Sequence, residues 1–101
     1  MGRVPDHSIV MLPLEEDILT GVRGVIHKHE TRLGAAGLMC IEPVVSIHSV
    51  GPRRTSEVRL EMYRDGKLND VLEFFVFRDG EILVTVEEVV QWLEQQLAAI
   101  Q

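Results

Sequence analysis

Residues 57–84 read EVRLEMYRDGKLNDVLEFFVFRDGEILV, and the fold turns on how this stretch is read. Arg-Asp-Gly occurs twice in it, at Arg64-Asp65-Gly66 and at Arg78-Asp79-Gly80, each time between runs of β-forming residues. An Asp-Gly step in that setting marks a hairpin, because glycine adopts the positive φ that a tight turn needs. Two consecutive hairpins are expected, sharing the strand Leu72–Phe77.

Alternation then sets the register. A two-residue loop at Asp65-Gly66 pairs Val58 with Glu73 and Arg59 with Leu72, which mixes apolar and charged residues on each face. A three-residue loop, Arg64-Asp65-Gly66 closed by a bulge, pairs Val58 with Leu72 and Met62 with Leu68. The same loop at Arg78-Asp79-Gly80 pairs Val76 with Ile82 and Phe74 with Val84. The apolar pattern selects the bulged turns, with Asp70 opposite Leu60 as a misfit. The core face carries Val58, Leu60, Met62, Leu72, Phe74, Val76, Ile82 and Val84. The reverse face carries Glu57, Arg59, Glu61, Val71, Glu73, Phe75, Phe77 and Leu83. An open antiparallel face should be polar, so Phe75, Phe77 and Leu83 call for a cover.

Towards the N-terminus, Cys40–Val50 reads as a strand interrupted by Pro43, which cannot donate to a ladder. A four-residue connection, Gly51–Arg54, pairs Val50 with Thr55 and sets Val45 and Ile47 beside Leu60 and Val58. Val44, Ser46 and His48 then share the reverse face. Upstream, Leu14, Ile18, Val22, Val25, Ile26 and Leu33 recur at helical spacing, with acids at the start, basic residues near the end, and Gly34 and Gly37 as stop signals. Gly21 and Gly24 flank the apolar stripe and imply close approach to a neighbouring element. Ile9–Leu12 fits either a short strand or a segment tucked under the helix, and residues 1–8 are expected to fray. Downstream, Thr85-Val86-Glu87-Glu88 is a capping box opening a helix from Val86 to about Ile100. Its stripe runs Val86, Val89, Val90, Leu93, Leu97 and Ile100, and Trp92 falls beside it. The expected fold class is α+β, in the order α-β-β-β-β-α: a four-stranded antiparallel meander packed against an N-terminal and a C-terminal helix, in one domain spanning 1–101.

Composition narrows the function classes. The chain has 101 residues and a formal charge of −6, so a general nucleic-acid role, which wants a basic face, is not expected. Cys40 is the only cysteine, which excludes an intrachain disulfide or a cysteine-rich zinc site. No secretory h-region and no apolar run near membrane length is present, so a cytoplasmic protein without membrane contact is expected.

Few residues hint at chemistry. His27 and His29 lie two apart on a helix and point in nearly opposite directions, which argues against chelation of one ion. His29 falls in the apolar stripe and His27 in solvent. The register places His48 opposite Glu57 and Glu57 opposite Glu73. These three are the weak catalytic candidates, as a general-base dyad or ligand site, against a solvated face of ordinary charge pairs. Cys40 has no neighbouring cation to activate it and reads as structural. Neither a cofactor nor a metal is implied. The stronger signal is the apolar part of the reverse face: Val71, Phe75, Phe77 and Leu83 as interface candidates, with Trp92 beyond them. The expectation is a small acidic interaction protein, homodimeric through that face, in an adaptor, chaperone or inhibitor (immunity-type) role toward a basic partner. The alternative is a small-molecule-binding protein or minor enzyme using the His48, Glu57 and Glu73 site.

Overall fold

The computed structural model describes residues 10–100. Its elements run α1 (Pro13–Ala35), β1 (Leu38–Cys40), β2 (Val44–Val50), β3 (Arg53–Arg64), β4 (Lys67–Arg78), β5 (Glu81–Ile82) and α2 (Val86–Ala98). The fold is α+β. β1 and β2 lie end to end along one side of β3, separated at Pro43, so the antiparallel sheet is a meander of β1/β2, β3, β4 and β5. Val10–Leu12 form no strand, and Val10 is exposed. Ile9 and the expected fraying of 1–8 lie outside the described residues.

Both Asp-Gly turns are two-residue loops, which corrects the three-residue reading. Arg64 opposes Lys67 and Arg78 opposes Glu81. Asp65 and Gly66 have φ of 54° and 77°, and Asp79 and Gly80 of 53° and 86°. Two successive left-handed residues match the right-handed twist of the flanking strands. The face pattern is restored one step further on: Tyr63 opposes Leu68 but Met62 opposes Asp70, so Asn69 is an extra residue on β4. Val58 therefore faces Phe74 and Leu60 faces Leu72. This is a two-residue slide from the expected register, and such a slide keeps every side chain on its face. Asp70 consequently opposes Met62 instead of Leu60. At the β2–β3 turn the same happens: Val50 opposes Arg53 across Gly51-Pro52, and Val45 faces Val58.

A second bulge changes a side chain's fate. Ser56 opposes Phe77 while Glu57 opposes Phe75, which leaves Val76 as the extra residue. Val76 and Phe77 are both buried, at 0% and 7% exposure. Phe77 is a core residue and not part of the reverse face, because the bulge restarts the alternation between Phe75 and Phe77. Ile82, expected in the core, opposes Phe77 but stays exposed, since β5 ends after two residues at the sheet margin.

Both helices pack on one face. Ile18, Val22, Val25 and Leu33 of α1 join Val89, Leu93 and Leu97 of α2 in a single cluster with Val58, Leu60, Met62, Val76 and Phe77. Each such side chain contributes about 1.5–3 kcal/mol through burial. α1 starts on Pro13, whose missing amide costs nothing in the first turn. It runs through Gly34 to Ala35, and the left-handed Gly37 (φ 81°) follows it. At Gly21 the helices meet: a Cβ there would lie 2.9 Å from Val90 Cγ2. Gly24 has open space instead, so the close approach expected of it does not occur. The α2 capping box forms as expected, the Glu88 amide donating to Thr85 Oγ1 at 3.1 Å and the Thr85 amide to Glu88 Oε1 at 2.8 Å. Across the helix pair, Glu94 accepts from Lys28 Nζ at 2.8 Å and pairs with His29 Nε2 at 2.5 Å. Lys28 and then His29 hold its carboxyl below the usual range. Among the described residues no helix is long and apolar enough to cross a membrane.

Candidate functional site

Since both helices take the same side, the other face of the sheet is left uncovered by them. Its rows can be read from the register: Met39, Tyr63 and Leu68; Val44, Arg59 and Glu73; Ser46, Glu57 and Phe75. Glu61 and Val71 form a further pair between the first two rows. Met39, Val44 and Leu68 are exposed, while Tyr63, Val71 and Phe75 are half-buried.

Three charges on this face, Arg59, Glu61 and Glu73, are grouped together, while Glu57 stands apart from them. Arg59 Nε donates to Glu61 Oε2 at 3.0 Å and Nη1 to Glu73 Oε2 at 3.3 Å, while Tyr63 Oη donates to Glu61 Oε1 at 2.9 Å. The Tyr63 hydroxyl, then Arg59, keep the Glu61 carboxyl below its ordinary range, and Glu61 in return raises the Tyr63 phenol. Arg78 lies over the Phe75 ring, 4.3 Å from its centroid. That is cation–π distance.

The expected catalytic cluster does not assemble. His48 opposes Thr55, Glu57 sits between Ser46 and Phe75, and Glu73 pairs with Arg59. The two-residue slide moves each partner by about 7 Å along its strand, beyond hydrogen-bond reach. Of the interface candidates, Val71 and Phe75 lie on the open face, and Phe77 is in the core. Leu83 is exposed just past β5, its amide donating to Val76 O at 2.8 Å. Trp92 is half-buried rather than free on the surface, edge-to-face with Phe74 at a centroid separation of 5.6 Å.

Elsewhere, His29 is largely enclosed on Glu94 and His27 is in solvent, as the helical spacing implies. Burial raises the Cys40 thiol above its ordinary value, which disfavours the thiolate that reactivity requires. Among the described residues no three His, Cys, Asp or Glu side chains converge as a metal would require.

Three features escaped the sequence reading. Met39 joins Val44 on the open face by the same alternation, carried back past Pro43 into β1. Leu68 is turned to that face by the Asn69 bulge, which no residue pattern marks. The third is a buried pair, Glu15 with Arg54, joined at 2.9 Å and 2.5 Å. No family model, curated protein or solved structure matches the chain.

Proposed function

We propose that this chain is a small non-catalytic interaction protein that pairs with a second copy of itself through the uncovered face of its sheet. One observation carries the reading: both helices pack on the opposite face, leaving Met39, Val44, Val71 and Phe75 without a cover from either. Glu61 and Glu73 are both held by Arg59, which leaves Glu57 as the carboxylate on this face that the pairing must accommodate. That matters, since an unpaired charge at an interface costs several kcal/mol. The size is also adequate. Twelve-residue strands of about 3.3 Å per residue, in three columns about 4.8 Å apart, project roughly 550 Å². With side-chain relief this approaches the ~800 Å² per partner of a stable interface. A two-fold arrangement repeats the same patch from each subunit.

Light scattering on size-exclusion fractions tests the reading. The wild type should run at twice 11.4 kDa, and Phe75→Glu should return it to the monomer with its circular dichroism unchanged. A wild type that stays monomeric as concentration rises would refute the self-pairing. An adaptor, chaperone or inhibitor role toward a basic partner would build on the same non-catalytic framework, and the acidic charge of −6 favours such a partner.

A further inference from the structure

Among the described residues the outer side of β4 is a free strand edge over most of its length. β5 occupies Phe77 and Arg78 alone, and the Leu83 amide reaches Val76 O. From Lys67 to Phe75 no strand among the described residues pairs with that side. In an antiparallel strand alternate residues turn both N–H and C=O to the same side, so about four residues here present unmatched pairs. Sheets blunt such edges with proline, charged side chains, bulges or a cover. Here the Asn69 bulge and Asp70 interrupt the start of the edge and leave Val71–Phe75 as its regular part. The run Leu68–Phe75 contains no proline and holds Val71, Leu72, Phe74 and Phe75.

A second feature lies directly beside this edge. A cavity of about 380 Å³ opens between β4 and α2, lined by Glu73, Phe74, Val84, Glu88, Val89 and Trp92. The edge-to-face pair of Phe74 and Trp92 gives it aromatic walls. Glu88 uses Oε1 on the Thr85 amide, which leaves Oε2 for a ligand. Glu73 and Glu88 line the cavity and Asp70 lies further along β4, against Lys67 at its far end.

We propose that β4 receives an extended segment of a basic partner protein as an added strand, with a lysine or arginine side chain seated in the Phe74–Trp92 cavity. In strand addition the main-chain ladder supplies affinity and a side-chain pocket supplies selectivity. The pocket suits a long basic side chain on two counts. Its aromatic walls take the aliphatic stem and attract the cation, and the Glu88 carboxylate meets the charged head. The acidic margin steers basic segments in and repels acidic ones. This strand edge and cavity adjoin the open sheet face at Glu73 but use different groups, the β4 main chain, Phe74, Glu88 and Trp92, so the inference does not rest on self-pairing.

Trp92 is the only tryptophan, and its fluorescence reports the cavity directly. The probe is a synthetic peptide of alternating lysine and valine, compared with one in which glutamate replaces lysine. The lysine peptide should shift the Trp92 emission saturably, and the glutamate peptide should not. N-methylation on the alternate residues that face β4 should weaken binding at least about tenfold, since several hydrogen bonds of about 1 kcal/mol each are lost. The same modification on the other set should be tolerated. Glu88→Gln retains the helix cap, and it should weaken binding severalfold and flatten its salt dependence. Equal binding of the two peptides, or equal loss from both methylation frames, overturns the proposal. A dimer that persists in Phe75→Glu while the lysine peptide fails to bind would also overturn it, and would assign the edge to a second copy.

Discussion

Glu15→Gln removes one charge from a place where the fold has no substitute for it. The Glu15 side chain is fully enclosed, and its oxygens accept from the Leu12 amide at 2.8 Å, Arg54 Nε at 2.9 Å and Arg54 Nη2 at 2.5 Å. Arg54 is itself 15% exposed and donates also to Val10 O at 2.9 Å. The pair joins the first turn of α1 to the start of β3. Ser56 Oγ lies buried near enough to support the Glu15 charge, yet makes no close hydrogen bond. Glutamine keeps the volume and one acceptor for the Leu12 amide, but turns an uncharged group toward a nearly buried guanidinium. Breaking such a pair costs about 3–5 kcal/mol, and the retained hydrogen bond places this case near 3. At about 4 °C or more per kcal/mol in a domain of this size, Tm should fall by about 10–15 °C at neutral pH.

The same pair fixes the pH dependence. Burial, the largest influence on Glu15, raises its pKa; the Arg54 hydrogen bonds, the Leu12 amide and Ser56 together outweigh it and hold the carboxyl below 4.5. The folded state then releases this proton more readily than the unfolded chain does. Stability from the pair is therefore complete above the ordinary carboxylate value and lost as pH falls through the folded one. Thermal melts followed by circular dichroism should show the gap between wild type and Glu15→Gln close in that acidic window. A gap under about 3 °C at neutral pH, or one unchanged on acidification, would refute the reasoning.

Two further outcomes follow from the packing. Gly24→Ala should stabilise by about 0.5–1 kcal/mol through helix propensity; Gly21→Ala should not, because its Cβ meets Val90 Cγ2 at 2.9 Å, and denaturant melts of both compare the sites. Phe77→Ala should cost about 3–5 kcal/mol as a core truncation, whereas Phe75→Ala on the open face should cost far less in the same melts.

The faces of the sheet were legible because Val58, Leu60 and Met62 alternate cleanly with Arg59 and Glu61. The register was not, since a slide of two residues preserves every face and leaves no trace in the pattern. Two such slides, one at β2–β3 and one at β3–β4, separate His48 from Glu57 and Glu57 from Glu73. The bulge that buries Phe77 was hidden for a related reason: Phe74-Phe75-Val76-Phe77 is apolar at every position, so no alternation marks the extra residue. Helical periodicity identified the buried stripes of α1 and α2, including the placement of His29. It says which side of a helix is apolar, however, and nothing about which side of a sheet that helix will choose. The half-burial of Trp92 is invisible to helical spacing, because its neighbour, Phe74, lies across the fold rather than along the helix.

The contacts between the two helices bear on when the fold can be completed. Arg32 near the end of α1 donates to the carbonyls of Leu97 and Ile100, and Lys28 and His29 grip Glu94. During synthesis α1 emerges early and waits for partners made some sixty-five residues later. The β2–β3–β4 hairpins can zip locally in the interval, since their contacts are close in sequence. Until α2 arrives, though, the stripe of α1 and half of the core face stay open to water and to chaperones. Folding of this chain should therefore finish as a single late closure, with α2 as the step that commits it.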